Sequence, residues 1–298
     1  MFKKTAIVAG IGLALSATAQ ADYRWELGGA YSAGSVDSEL KTANGSTKND
    51  TDTDVGDIFG TFYLWEVDTS KGPLGEAAFL DHASSITLAA TDGEVDFSDI
   101  DNQDGQNYAV STRYVAEGPG WQLSGLIVDL GYERQEPGDL EIDLYNVGVG
   151  YYVTPKTTVV VGYEQTNVND GGDVDTYRVD GKHLWSLSGD GAITAELGYG
   201  RTTIKNNDDV DAYLVAGKWY LNKSLSFGLG YENTDWNGYE VNTVSVSSEW
   251  FITESFEVSL AYSYESPDDI KVDLGDFGGR SKLEVDTETF TIGALYRF

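Results

Sequence analysis

Apolar residues alternate with small or polar ones over runs of about ten positions, the period of a strand with two different faces. In one run Leu225, Phe227, Leu229 and Tyr231 share a parity, and Ser226, Gly228, Gly230 and Glu232 fill the other. Val159, Val161 and Tyr163 stand against Thr158, Val160, Gly162 and Glu164 in the same way, and Phe256, Val258, Leu260 and Tyr262 against Glu257, Ser259, Ala261 and Ser263. Three stretches overlay without a gap: YYVTPKTTVVVGYE from Tyr151, WYLNKSLSFGLGYE from Trp219 and WFITESFEVSLAYS from Trp250. WSLSGDGAITAELGYG from Trp185 joins them with a longer turn. The recurring unit is a β-hairpin.

A β-sandwich also alternates, but its strands run to about five or six residues, whereas about ten are needed to cross a bilayer at a tilt. Aromatic residues stand at both ends of the apolar faces: Tyr151, Trp219 and Trp250 before the turns, and Tyr163, Tyr231 and Tyr262 after them. Two aromatic girdles around an aliphatic band mark the two interfaces of a membrane. The connections are unequal as well, with short turns such as TPK, NKS and TES on one side and longer acidic stretches at 37–54, 91–104 and 266–283 on the other. The expected fold is all-β, a transmembrane antiparallel up-and-down β-barrel. Strands are expected near 22–36, 55–68, 76–90, 105–116, 121–133, 140–153, 156–167, 175–188, 192–204, 211–221, 224–235, 239–252, 255–265 and 284–298. That is 14, with 12 or 16 as alternatives, because the second and third alternate poorly.

The chain begins with MFKK, an apolar run AIVAGIGLALSA and a small-residue site at Ala19-Gln20-Ala21, which reads as a signal peptide over 1–21 and places the barrel at 22–298. Losing Lys3 and Lys4 takes the formal charge from −30 to −32. So acidic a surface repels phosphate backbones and makes nucleic acid an unsuitable partner. The absence of cysteine removes disulfides, thiol catalysis and cysteine metal sites together. The aspartate-rich stretches DTDTDVGD and DIDNQDG lack the spacing of an EF-hand loop, so no metal site and no cofactor are expected. They read as solvated loop tips, able to bridge to lipid phosphates through divalent ions.

The leader, the YVTPKTT and YLNKSLS turns leading to Gly-Tyr-Glu, and the closing Tyr296-Arg297-Phe298 resemble the general porin family of Gram-negative bacteria, the outer-membrane β-barrel porins. The resemblance is one of pattern over the whole of 22–298. It implies an outer-membrane location, contact with outer-membrane lipid and lipopolysaccharide, and an assembly signal at Phe298 and Tyr296 read by the barrel-assembly machinery. It leaves monomer and trimer both open.

Parity with the outward residues puts many glycines on the inner face, together with charges of both signs. Arg24 and Arg297 belong to this set, as do Glu26, Glu133 and Glu257. The candidate pore-lining residues are Arg113, Arg178, Lys182, Lys218, Asp129, Asp180, Glu196 and Glu249. Unpaired charges are costly in an apolar core, so they indicate water. Two arrangements fit: salt-bridge ladders between neighbouring strands, or basic and acidic groups opposed across the narrowest section, giving a transverse field. The function expected is an outer-membrane porin for passive diffusion of small hydrophilic solutes and ions, mildly cation-preferring. A non-pore barrel acting as adhesin, scaffold or receptor is the alternative, although no insert large enough for a plug is evident. An outer-membrane phospholipase-like enzyme ranks below both. It would need His82 and Ser84 on one face of a strand, whereas Asp81 points away and the surrounding motif does not match. No catalytic residue is therefore assigned.

Overall fold

The computed structural model describes residues 22–42, 45–97, 103–116, 124–138, 140–169, 172–204, 209–268, 270–273 and 280–298. The proposed signal peptide over 1–21 lies outside them, as do parts of the outer acidic connections.

The wall consists of β1 (Tyr23–Thr42), β2 (Gly45–Val67), β3 (Ser85–Phe97), β4 (Gln103–Val115), β5 (Leu126–Pro137), β6 (Ile142–Thr154) and β7 (Thr157–Val168) in its first half. The second half is β8 (Asp173–Ser186), β9 (Ala192–Ile204), β10 (Val210–Tyr220), β11 (Leu225–Trp236), β12 (Tyr239–Thr253) and β13 (Phe256–Pro267). The short β14 (Ile270–Asp273) and β15 (Arg280–Arg297) follow. Each strand pairs antiparallel with its sequence neighbour, and β15 returns to pair with β1 from Glu26↔Arg297 to Lys41↔Lys282. β14 extends β13 along β15 after a one-residue change of register, from Glu265↔Thr287 to Ile270↔Leu283. The wall is thus a closed 14-strand up-and-down barrel, which satisfies every ladder without leaving an edge in the membrane.

The outward face explains why this closed sheet needs lipid. Each wall strand exposes an aliphatic residue there, among them Leu27 on β1, Leu88 on β3, Val161 on β7, Leu197 on β9, Leu229 on β11 and Ile292 on β15. A belt of that extent would be untenable in water. Trp25, Trp65, Trp185, Trp219 and Trp250 are exposed toward the end carrying both termini, and Tyr108, Tyr145, Tyr177, Tyr213 and Tyr231 toward the other. The first end is taken as periplasmic, because tight turns prevail there.

Three expectations about element boundaries need correction. The stretch 37–54 is not a loop: β1 and β2 continue as a paired hairpin to Thr42↔Gly45, and β15 rises with them. At Arg24 a register shift between Tyr23 and Trp25 breaks the parity, so the guanidinium lies over Phe62 and donates to the carbonyls of Tyr63 and Leu64 instead of entering the lumen. Most consequentially, the third strand begins at Ser85 and not near 76. Residues 68–84 form 3₁₀ turns at Thr69–Lys71 and Leu74–Glu76, followed by α1 (Ala77–Leu80). Ala77, Ala78, Phe79 and Leu80 are good helix formers or apolar, and the preceding Gly-Pro-Leu-Gly suits a chain that turns instead of pairing.

Candidate functional site

The lumen is built by alternate residues of every strand, and its two halves differ. Toward the periplasm the inward basic residues are paired with carboxylates on the same or nearby strands. Arg113 on β4 makes a bidentate contact with Asp129 on β5, both hydrogen bonds being 2.8 Å. Lys182 on β8 lies 2.9 Å from Glu196 on β9. Lys218 on β10 pairs with Glu249 on β12, which also accepts from Ser226 at 3.1 Å. Arg178 and Asp180, both on β8, are 3.6 Å apart. These eight residues were expected to line the lumen, and all lie on its inner face. Their ion pairs run along the wall, however, so the expected opposition of Arg113, Arg178, Lys182 and Lys218 to Asp129, Asp180 and Glu196 across the lumen is not what they form. Two inward glycines provide room for long side chains to lie flat: a Cβ at Gly162 would stand 2.6 Å from Nε of Arg178, and one at Gly131 would stand 2.7 Å from Oδ1 of Asn146. Around the Arg113–Asp129 pair, Ser85, Ser111, Asn146 and Arg178 border a niche of ≈ 340 Å³.

In the outer half, Glu133, Glu164, Glu232 and Glu265 face inward on β5, β7, β11 and β13. Each follows a tyrosine of the outward face, three of them in Gly-Tyr-Glu and Glu265 in Ser-Tyr-Glu, so the pattern sends the aromatic ring to lipid and the carboxylate to the lumen. None of the four has a cationic partner among the described residues.

The tyrosine girdle has an order that the sequence reading overlooked. Tyr132 faces Tyr145, Tyr163 faces Tyr177 and Tyr199 faces Tyr213 across three hairpins, with ring centroids 5.2, 5.3 and 5.2 Å apart. In each hairpin the first tyrosine donates its hydroxyl to an aspartate two residues before the second: Asp143 at 2.7 Å, Asp175 at 2.6 Å and Asp211 at 2.7 Å. The repeated Asp-x-Tyr spacing is the signal that would have found it. Of the residues assigned to the girdles, Tyr151, Trp219, Trp250, Tyr231 and Tyr262 are exposed on the outward face, and Tyr163 is partly covered by its neighbours.

At the periplasmic end, residues 68–84 fold into the barrel and reach across its mouth, contrary to the expectation that no segment could act as a plug. Leu74 donates its N–H to the carbonyl of Lys223 in the β10–β11 turn at 2.8 Å, and its own carbonyl accepts from Arg297 on β15 at 2.9 Å. The carboxylate of Glu76, almost fully buried, accepts from Tyr220 at 2.8 Å and lies 2.8 Å from Lys182. Phe79 offers its carbonyl to Tyr152 at 2.9 Å and its ring to Lys182. The barrel's apolar core is gathered here: Ala77 packs with Tyr23, Tyr63 and Val67, and Leu80 packs with Leu184, Ala192 and Tyr220. Arg297 is buried as well, held by Glu26 at 2.8 Å between the rings of Tyr23 and Phe251, so its place is in this seal and not in a wet lumen. Asp68 caps the first turn through the N–H of Ser70, and the side-chain and backbone hydrogen bonds from Ser70 hold its carboxyl below the usual range.

His82 and Ser84 do not meet as base and nucleophile. They lie beyond α1 and not on a strand, which removes the shared face that the catalytic reading required. The His82 ring lies tilted against that of Tyr152 with centroids 3.8 Å apart, and the buried Ser84 hydroxyl accepts from the N–H of Val115 at 2.9 Å. His183 is on the outward face beside Trp185, with Nδ1 2.6 Å from the Thr157 hydroxyl. Among the described residues no group of three His, Asp or Glu side chains converges as metal ligands. Phe298 is half-exposed and closes the seam: its N–H donates to the carbonyl of Trp25 at 3.0 Å, and its carbonyl accepts from the N–H groups of Arg24 and Trp25. Its ring stacks on Trp25 and on Tyr296.

Residues 27–178 match the family described as "Putative general bacterial porin". The Acinetobacter baumannii outer membrane protein Omp33 is similar in structure, with a TM-score of 0.57 at 22% identity over 93% of this chain and 99% of that one. A Pseudomonas aeruginosa FadL homologue aligns with a TM-score of 0.46 at 9% identity, over 92% of this chain and 90% of that one. The P. putida toluene transporter TodX gives 0.45 at 9% identity over the same shares. No curated protein matches significantly.

Proposed function

Because the chain belongs to the putative general bacterial porin family, and its structure is that of a channel-type outer-membrane barrel, we propose that it lets small hydrophilic solutes and ions diffuse passively across the outer membrane, with a preference for cations. The observation that carries the preference is the contrast along the lumen. The inward basic residues are neutralised by carboxylates near the periplasmic end, whereas Glu133, Glu164, Glu232 and Glu265 stand without cationic partners among the described residues of the outer half. A low-dielectric wall lined by one sign of charge focuses the field and raises the local concentration of the opposite ion. Solutes entering from outside meet this acidic section first and then the niche flanked by Arg113, Arg178 and Asn146, where donors and acceptors alternate. The aliphatic belt and both girdles face lipid, and Phe298 with Tyr296 would supply the assembly signal.

The test is the reversal potential in planar bilayers under a salt gradient, measured on the refolded chain and on a variant in which a short Gly-Ser turn replaces residues 70–82. The expected potential has the sign of cation preference. Anion preference would overturn the selectivity, and silence from both proteins would overturn the channel itself.

A further inference from the structure

We propose that the outer mouth of the barrel binds organic ammonium ions that carry an apolar body, which rests on the channel reading above and deepens it by naming a class of solute. The first support is an inversion of polarity where the strands rise past the tyrosine girdle. Ile142 and Leu144 face inward around the outward Asp143, Val174 faces inward between the outward Asp173 and Asp175, and the inward Val210 precedes the outward Asp211. Across the ladders Ile142 stands opposite Val168, Val174 opposite Ile204, and Val210 opposite the half-exposed Trp236. Val168 is diagonal to Val174 and Ile204 to Val210, so these positions join into one apolar band over β6–β11. At this level the wall has its charges outside and its aliphatic residues inside, the reverse of the membrane-spanning part. Lipid does not explain apolar side chains on the inside of a water-filled mouth, and a contiguous surface of that kind is characteristic of a ligand site.

The second support is the row of carboxylates directly beneath the band. Glu133 stands opposite Leu144 and Glu232 opposite Leu214. Glu164 is two residues from Thr166, which faces Leu144 and Val174, and Glu265 is two residues from Pro267, which faces Val241. Each inward carboxylate therefore has an apolar neighbour directly opposite or one inward step away, a step of about 7 Å along the strand. The far side of the ring repeats the arrangement: Gly93 and Gly105 oppose one another and leave a hollow of ≈ 220 Å³ against Val55, Val95 and Pro137. Beneath that hollow the inward Asp57 accepts from Thr91 at 2.6 Å. An apolar cavity of about 150 Å³ is enough to hold benzene. An inorganic cation can use only the carboxylates, whereas an ammonium ion on an alkyl or aryl body uses both surfaces, with its charge on the glutamates and its body on the band. Trp236 adds an aromatic face for the cation, and the same carboxylates repel anionic amphiphiles.

Two probes of equal charge separate the contributions: benzyltrimethylammonium, which has an apolar body, and tetramethylammonium, which lacks one. Each is titrated calorimetrically into the refolded chain in micelles, with the heat of titration into micelles alone subtracted. Benzyltrimethylammonium should bind at least about tenfold more tightly, the scale of burying one aromatic ring. Changing Ile142, Leu144 and Val174 together to Asn should bring that ratio down to about one, and the milder Leu144→Asn should lower it by about twofold. Heat-modifiable gel mobility confirms that each variant is a folded barrel. Equal affinity for the two probes in wild type would overturn the site and assign the band to packing against the chain's own outer connections. A preference that survives both Leu144→Asn and the triple change would overturn it too, by placing the bound ring elsewhere. Calorimetry needs no conduction, so the two readings fail separately. Selective binding by a chain that stays silent in bilayers, even with the Gly-Ser turn in place of 70–82, would overturn the channel and leave the site, whereas conductance with equal affinities would overturn the site and leave the channel.

Discussion

The two ends of this barrel solve different physical problems with the same alternating strands. At the periplasmic end inward residues are large or charged and closely packed: Tyr23, Val67, Val115, Ile127, Leu184 and Tyr220 are almost wholly buried, and residues 68–84 fill the space between them. Toward the outer end, beneath its apolar rim, inward positions hold glycine, serine, threonine and glutamate, and the large side chains lie on the outside as paired tyrosines. A barrel of 14 strands is too wide for its own side chains to fill, so the default interior is the second kind. The first kind needed an extra piece of chain, and the β2–β3 connection supplies it. The other described periplasmic connections, such as Pro155 and Lys156 between β6 and β7, are tight turns that only reverse the strand. Stability and solute passage are therefore segregated along the axis.

The largest expected effect that could break this comparison comes from the packed end. Leu80→Ala removes most of a buried side chain from the cluster with Leu184 and Tyr220 and should destabilise the seal by about 2–5 kcal/mol. Read as conductance and as protease sensitivity of residues 68–84, it should loosen the seal while the barrel's heat-modifiable mobility is retained. A barrel that unfolds as a whole would show that the two ends are one cooperative unit. Next in size is the outer end: changing Glu133, Glu164, Glu232 and Glu265 together to Gln should abolish most of the cation preference without altering thermal stability, because none of the four is in an ion pair among the described residues.

Smaller effects sharpen the picture. Tyr163→Phe deletes one hydroxyl hydrogen bond to Asp175 and should cost about 0.5–1.5 kcal/mol in a denaturant titration, with no effect on ion selectivity since both groups face outward. The smallest concerns pH. The carboxyl of Asp68 is held below its ordinary range by Ser70, so its cap stabilises the first turn of the segment above the unfolded value of about 3.9 and is lost as pH falls through the lower folded value. Hydrogen exchange at Ser70 should accelerate relative to its neighbours only below about pH 4, the unfolded value. Acceleration near neutrality would assign the cap to another group.

Much of the wall was legible because a period of two is imposed by covalent geometry, and membrane and water enforce it on opposite faces. Fourteen strands, the inward parity of Gly162 and Lys218 and the outward parity of Trp219 all follow from it. Arg24 was misplaced because a bulge adds a residue that periodicity cannot anticipate. The plug was missed for a different reason. Its sequence GPLGEAAFLDH does not alternate, and the part from Glu76 onward was assigned to a strand, although the missing period was itself the warning. What fixes it is tertiary: Glu76 meets Tyr220 144 residues away, and no local pattern encodes that meeting. The ion pairs were half legible. Parity placed both signs inside, but only the register shows that Arg113 meets its neighbour Asp129 along the wall and does not face it across the lumen.

The most direct test of the central claim, that the packed end governs passage while the acidic end governs which ions pass, is the reversal potential of the variant with residues 70–82 replaced by a short turn, with and without the four Glu→Gln changes. The account predicts sustained conductance in both, cation-preferring with the glutamates present and close to unselective without them. An identical reversal potential for the two would contradict it.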